Sequence, residues 1–376
     1  MLELERADRA IVDPELALTA ESTRRVSRVG RRCLVGASTL CVLALASSLV
    51  VAQRYRSLAR PWRTISCGKK SVFAVAFSPS GELLAEGSDD GSVRVYATAS
   101  GELVSEVAAS TSAAPVKALA FTPTGDHLLV GTGEAEFRVL GSRGSVLERV
   151  LPGPVDTHRW GPYTVAISSR RELCAWVDYS DALHVIALAN GQEVRTLEND
   201  GGRIRALAFS PRGDLLAVGC PGAVDLLSVG DCRHIARIRH ADAECDSIAF
   251  DPAGDRLAIA VDDKIYVALV RDGSVVCELD ERKGVENHSW RNSLAFSPQG
   301  DVLAAGRVDG SIFAWSMRDG KKLLERMGPL DFVTLVGDLG LIKPGVAIYA
   351  IAFSPDGWLA TGHGEGVMKL WWATRL

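Results

Sequence analysis

The sequence lacks the short motifs that mark common catalytic and metal sites. Its eight cysteines include no Cys-x-x-Cys pair, and its seven histidines form no His-Glu-x-x-His pattern. A zinc finger, a redox dithiol and a zinc protease are therefore disfavoured. There is also no Gly-x-Ser-x-Gly elbow and no phosphate-binding Walker loop. We predict a non-catalytic protein that needs no cofactor and no metal.

A strong charge of either sign is also missing. The chain has 376 residues, and its 42 lysines and arginines against 46 aspartates and glutamates give a formal net charge of −4. Sequence-independent binding to nucleic acid needs a clustered basic surface, so we expect no nucleic-acid partner. The chain is 47% hydrophobic without a low-complexity tract, which is enough for one large core.

What the sequence does contain is one short pattern repeated along its length. The stretch Ala208-Phe-Ser-Pro-Arg-Gly213 has close copies that begin at Ala76, Ala120, Ala249, Ala295 and Ala352, and a degenerate copy that begins at Ala166. The steps between successive alanines are 44, 46, 42, 41, 46 and 57 residues. A strand-rich repeat of about 40 to 45 residues is typical of a propeller blade.

The first copy shows how one repeat makes four strands. Val72–Phe77 is apolar throughout, as a strand buried on both faces would be. Ser78-Pro-Ser-Gly81 has the composition of a type I turn. A second strand begins at Leu83–Ala85 and leads to a tight turn at Asp89–Gly91. The third and fourth strands follow at Val93–Tyr96 and Leu103–Val107. Four antiparallel strands in each of seven copies predict an all-β, seven-bladed β-propeller.

With these features, residues 60–376 resemble the WD40-repeat β-propeller family. The resemblance is carried by the seven Ala-Phe or Ala-Ile pairs, the Ser-Pro-x-Gly turns, and the stretches Gly87–Tyr96, Val308–Trp315 and Gly366–Trp371. The closing Trp-Asp dipeptide is absent, and so is the Gly-His dipeptide that precedes the first strand of a family repeat. These departures predict that the family's Asp-His-Ser-Trp hydrogen-bond network does not form in this chain.

The two ends of the repeat region predict how the ring closes. The last copy runs out just after its third strand, whereas a spare strand-like segment, Trp62–Ser66, precedes the first copy. Pairing this segment with the last copy would cover two sheet edges that otherwise invite aggregation. We therefore predict a propeller over residues 61–376 that is closed by Trp62–Ser66.

The segment Cys33–Gln53 is the longest uncharged run, at 21 residues. Its length matches a bilayer core of about 30 Å, so we predict a single transmembrane helix at 33–53 between a polar basic leader (1–32) and a basic stalk (54–60). A cleavable signal peptide is the alternative. Arginines and lysines are nearly balanced on the two flanks. The side of the membrane therefore stays open, with the propeller outside the cytoplasm as the preferred interpretation.

One row of positions differs from blade to blade. It lies three residues before each repeat alanine and comprises Phe73, Lys117, Tyr163, Arg205, Asp246, Asn292 and Tyr349. In a propeller this row falls near one mouth of the central channel, and the loops just upstream add Trp160, Trp290 and Arg291. Tyr, Trp and Arg dominate binding hot spots, which predicts a protein partner here. The alternative is an ordinary polar rim with Trp160 and Trp290 packed between blades.

These observations favour a membrane-anchored scaffold that binds a protein through one propeller face. Two alternatives are a propeller hydrolase or lyase with a site at the central channel, and the sensor lobe of a membrane signalling complex. The second is suggested because the leader resembles the segment that joins a signalling domain to a membrane helix and propeller in large bacterial proteins. An apolar insertion at 328–346 is either a docking flap or a loop packed on the propeller.

Overall fold

The computed structural model describes residues 61–110, 112–133, 137–143, 147–151, 164–168, 170–178, 180–197, 202–231, 233–262, 264–280, 293–326 and 347–372. All of them belong to one compact unit, Pro61–Leu376. The predicted leader, transmembrane helix and stalk lie outside the described residues, as does the insertion at 328–346. Within the described part of the chain, no helix is long and apolar enough to cross a membrane.

The described residues form 28 strands in seven antiparallel four-stranded sheets, which confirms the predicted seven-bladed all-β propeller. The first strand of the chain is β1 (Arg63–Ser66). Blade 1 contains β2 (Val72–Phe77), β3 (Leu83–Ser88), β4 (Ser92–Ala97) and β5 (Leu103–Ala108). Blade 2 contains β6 (Val116–Phe121), β7 (His127–Thr132), β8 (Phe137–Gly141) and β9 (Leu147–Leu151). Blade 3 contains β10 (Val165–Ser168), β11 (Leu173–Val177), β12 (Leu183–Ala187) and β13 (Glu193–Leu197).

The second half of the ring repeats the same order. Blade 4 contains β14 (Ala206–Phe209), β15 (Leu215–Cys220), β16 (Ala223–Ser228) and β17 (His234–Arg239). Blade 5 contains β18 (Cys245–Phe250), β19 (Arg256–Val261), β20 (Lys264–Leu269) and β21 (Val275–Asp280). Blade 6 contains β22 (Ser293–Phe296), β23 (Val302–Gly306), β24 (Ile312–Ser316) and β25 (Lys322–Arg326). Blade 7 contains β26 (Ile348–Phe353), β27 (Trp358–His363) and β28 (Val367–Trp372), with β1 as its fourth strand.

The ring is closed by β1, as the sequence predicted. It pairs antiparallel with β28, and the register places Arg63 opposite Leu370 and Ile65 opposite Met368. The first strands of neighbouring blades contact one another all the way round, including β2 of blade 1 with β26 of blade 7. The first strands therefore line the centre, and the mostly exposed fourth strands form the outer rim.

A repeated side-chain hydrogen bond fixes the turn between the first and second strands of a blade. In blade 1 the Ser78 hydroxyl accepts a hydrogen bond from the Leu83 amide at 3.0 Å, and the Gly81 amide donates to the Ser78 carbonyl at 2.9 Å. The equivalent side-chain acceptors are Thr122, Ser210, Asp251, Ser297 and Ser354. Gly81 has φ +75°, which favours glycine. The face that carries these turns is called the turn face below.

Glycines near the end of the second strands let neighbouring blades approach closely. A Cβ added at Gly306 of blade 6 would lie 2.5 Å from Ile348 Cγ2 of blade 7, and one added at Gly362 of blade 7 would lie 2.7 Å from Val72 Cγ1 of blade 1. Gly87 meets Val116 of blade 2 in the same way. Interiors at this packing density have no room for an extra methyl group.

We expect Gly306→Ala to lower the free energy of unfolding by about 1–3 kcal/mol, because the new methyl group overpacks the contact with Ile348. The matched control is Gly230→Ala, since a Cβ added at Gly230 meets nothing within 4 Å. Thermal unfolding of the full chain in detergent measures both variants. Equal melting temperatures for the two variants would contradict this account of blade packing.

A different, three-membered hydrogen-bond network forms in blade 7. Trp371 Nε1 donates to Thr361 Oγ1 at 3.0 Å, and the same oxygen lies 2.8 Å from His363 Nε2. All three residues are buried. His363 lies at the end of β27, whereas the histidine of the family network belongs to the Gly-His dipeptide before a first strand. The presence or absence of that dipeptide therefore does not predict this hydrogen bond.

The described cysteines lie mostly in the interior of the propeller. Cys67, Cys174, Cys220 and Cys245 are buried, Cys277 is half-buried, and all five are free. Burial raises the pKa of the Cys67 thiol to about 12, so this thiol is held in its unreactive protonated form. These side chains therefore serve as small core residues.

Candidate interaction surface at one mouth of the ring

The residues three positions before each repeat alanine are called the mouth row, and five of them are described. Phe73, Lys117, Asp246 and Tyr349 each fall at the irregular step in the pairing of a first strand with its second strand. Such a step is a β-bulge, which bends the strand and redirects one side chain. Arg205 lies just before β14, and its amide donates to the Gly219 carbonyl at 3.2 Å. All five are half-buried.

Burial explains why these positions vary while their neighbours stay apolar. In β2, Val72 and Ala74 are buried on either side of the bulged Phe73. Burial alternates along β2, so that Val72 and Ala74 face the packed interior while Phe73 is half-buried. Because first strands line the centre and these bulges lie near their starts, the described mouth row belongs to the end of the channel opposite the turn face.

Three members of the mouth row, from blades 7, 1 and 2, are in direct contact. The rings of Tyr349 and Phe73 meet edge to face with centroids 4.9 Å apart. Lys117 Nζ lies 4.2 Å from the centroid of the Phe73 ring, within the range of a cation–π interaction. One side of the mouth therefore presents two aromatic rings and an ammonium group as a continuous surface.

The mouth row has a different chemistry at blades 4 and 5. Arg205 forms an ion pair of 2.7 Å with Glu244, which lies in the segment entering blade 5. Asp246 follows two residues later, and its charge, after the larger effect of burial, helps to raise the pKa of the neighbouring Cys245 thiol. Glu244 was not predicted from the sequence, because Arg205 belongs to the preceding repeat and meets it only in the folded ring.

The other predicted site residues lie outside the described residues. They are Tyr163, Asn292, Trp160, Trp290 and Arg291. Whether they join the described part of the mouth row stays a prediction.

Histidine–carboxylate contacts that do not involve the mouth row occur in blades 3 and 4. His184 Nε2 lies 2.9 Å from Asp178 Oδ2, and its ring stacks on Trp176. Burial tends to raise the pKa of Asp178, but the hydrogen bonds from His184 and Ser180 lower it overall. Across the described ranges, no group of three or more His, Cys, Asp or Glu side chains is arranged to hold a metal ion.

A buried ionic cluster in blade 1 was also missed from the sequence. Glu86 of β3 is fully buried, and its Oε1 lies 2.8 Å from Arg94 Nη1. Its Oε2 receives no hydrogen bond from any residue that the structure describes. Burial raises the pKa of the Glu86 carboxyl to about 7, against the opposing effect of Arg94. Arg94 also binds Asp90 at 3.0 Å and Glu106 at 2.7 Å.

Fold and site together define a seven-bladed β-propeller with a chemically mixed mouth. Two family descriptions match parts of the chain. "Anaphase-promoting complex subunit 4 WD40 domain" matches residues 37–114, and "WD domain, G-beta repeat" matches residues 191–224 and 281–316. WD40-type repeats thus match several parts of the propeller, and the first match also includes residues 37–60, which precede it.

One curated relative gives a short match. The small ribosomal subunit protein RACK1 of Medicago sativa is 29% identical over 96 residues, which cover 25% of this chain. The match spans 24% of that protein. The chain is therefore similar to about a quarter of this relative's length.

Proposed function

We propose that this protein is a WD40-type scaffold that binds a protein partner through the mouth row without catalysing a reaction. The observation that carries the proposal is the contact of Tyr349, Phe73 and Lys117 at one mouth. WD40 propellers typically bind proteins, and the repeat matches support that class of function. Tyr349 is of a residue type that is enriched in binding hot spots, and Phe73 and Lys117 extend its surface across two further blades.

The same proposal includes a membrane anchor at residues 33–53. It is supported by the sequence alone, through the 21-residue uncharged run and its match to a bilayer core of about 30 Å. We propose a single-pass protein with the propeller outside the cytoplasm, which a reporter active only outside the cytoplasm tests when fused to Leu376. The sensor-lobe alternative predicts instead that removing residues 1–32 abolishes signalling while the propeller stays folded.

We expect the pair Phe73→Ala and Tyr349→Ala to weaken partner binding by about tenfold or more, since truncating hot-spot aromatics costs upwards of about 2 kcal/mol. Proximity labelling with the full chain identifies the partner, and titration of that purified partner measures the dissociation constant.

The control for this experiment is Arg318→Ala, an exposed side chain in the turn between β24 and β25 on the turn face. This variant should bind the partner like the wild type. If the mouth variant binds normally and the control loses binding, the interaction surface lies on the turn face and the proposal fails. Thermal melts of both variants separate lost binding from lost folding.

A further inference from the structure

The turn face carries an exposed aromatic corner at the outer rim of blade 7. Trp62 is 50% exposed, and its ring centroid lies 4.6 Å from that of Trp358. The Arg63 guanidinium carbon lies 4.6 Å from the centroid of the Trp62 ring. Among the described residues, the other large hydrophobic side chains that are exposed are aliphatic. Trp62, Arg63 and Trp358 are called the tryptophan corner.

Strand direction puts this corner at the end of the ring opposite the mouth row. Trp62 directly precedes β1, and its amide donates to the Leu370 carbonyl at 2.8 Å. Trp358 is the first residue of β27, immediately after the Ser354–Gly357 turn. Both tryptophans therefore lie at the turn face, whereas the first strands start at the mouth face.

The chain itself indicates what covers this corner. Only seven residues, 54–60, separate the 21-residue uncharged run from Pro61, and three of them are Arg54, Arg56 and Arg60. A link of this length reaches at most about 25 Å when fully extended. If residues 33–53 cross a bilayer, the length of this link holds the tryptophan corner close to the bilayer surface.

We propose that the tryptophan corner inserts into the headgroup region of the membrane that anchors the chain. The mouth row then faces away from this membrane. Tryptophan prefers this region because its ring is apolar while its N–H still meets water or lipid oxygen. A guanidinium stacked on a ring keeps its edge N–H groups for phosphate oxygens. The inference rests on the membrane anchor of the proposed function.

The test uses the full chain in lipid vesicles that contain anionic lipid and a lipid with a nitroxide on its headgroup. The nitroxide quenches the fluorescence of nearby tryptophan, and residues 33–53 contain no tryptophan, so quenching reports on other parts of the chain. The variant carries Trp62→Phe with Trp358→Phe, which keeps an aromatic pair in place. The matched control is Trp176→Phe, a residue only 3% exposed.

We expect a quenched component in the wild type and in the control that is lost in the double variant. Flotation with vesicles and resistance to alkaline extraction report the anchor independently of fluorescence. A chain that fails to float overturns both the anchor and this inference. A chain that inserts, but whose quenching is the same in the double variant, overturns the inference alone. If the double variant inserts with unchanged quenching but no longer binds the partner, the tryptophan corner contacts a protein and not the membrane.

Discussion

Arg94→Leu is expected to lower the free energy of unfolding by about 3–5 kcal/mol at pH 8, because it leaves a buried carboxylate without its cation. Glu86 is 0% exposed, and Arg94 provides the hydrogen bond to its Oε1. The other two carboxylates that bind Arg94, on Asp90 and Glu106, are 30% and 48% exposed, so water can solvate them in the variant. Chemical unfolding of the full chain in detergent, followed by circular dichroism, measures the loss.

The pH dependence identifies the buried carboxyl as the cause. The pKa of Glu86 is raised from 4.5 to about 7 in the folded chain, mainly by burial. Folding therefore favours the protonated carboxyl, and the stability that this group contributes is complete below about pH 4.5 and lost as the pH rises through about 7. Loss of the Arg94 charge raises this pKa further, so the deficit of Arg94→Leu should shrink between pH 8 and pH 5.

Glu86→Gln provides the rescue and Lys264→Leu provides the control. Glutamine keeps an acceptor oxygen for Arg94 but cannot ionise, so Glu86→Gln should flatten the pH dependence of the free energy of unfolding. Added to Arg94→Leu, it should recover most of the stability that Arg94→Leu loses. Lys264 of β20 pairs with Glu278 of β21 on the surface, with both side chains nearly half exposed. Breaking such a pair costs about 0–1 kcal/mol. Equal losses for Arg94→Leu and Lys264→Leu would disprove the role assigned to burial.

The strands and the closure were predictable because each repeat contains its own local signals. The Ser-Pro-x-Gly turn, at Ser78–Gly81 in blade 1, marks the end of the first strand and the start of the second. The alternation of apolar and polar residues after Gly91 defines the third strand. The sequence predicted that the second strand begins at Leu83–Ala85, and the structure continues it to Ser88. The reason is tertiary, since β3 lies between two paired strands and is buried from Leu84 to Ser88.

The mouth row was located by its variation, but its physical basis was not visible in the sequence. A bulge is a property of two strands in register, and the segment around Phe73 does not show that Val72 and Ala74 pair with adjacent residues of β3. The contact of Phe73 with Lys117 and Tyr349 likewise joins three blades through ring closure. Glu86 was overlooked for a similar reason, because its partner Arg94 lies opposite it on the next strand.

Deleting residues 61–66 is expected to remove at least about 3 kcal/mol of stability, because the ring loses its closing strand. Ile65 is 5% exposed, and its cluster includes Met368 and Leu370, which are both fully buried. Without β1 these side chains and the backbone edge of β28 meet water. A domain is stabilised by about 5–15 kcal/mol in total, so the change should lower the melting temperature of the full chain sharply.

Hydrogen exchange shows whether this loss starts at the seam between β1 and β28. The amides of Val367–Leu370 should exchange much faster after the deletion, whereas those of blade 4, across the ring, should change least, since partial opening starts at the least supported edge.

Deletion of residues 54–59 is the control, because it removes six residues of the same segment and leaves β1 intact. An unchanged melt after removal of β1, or equal effects of the two deletions, would show that pairing with β28 does not hold the ring closed. A lowered melt with uniform exchange in all blades would instead mean that the propeller unfolds as one cooperative unit, with β1 supporting the whole ring.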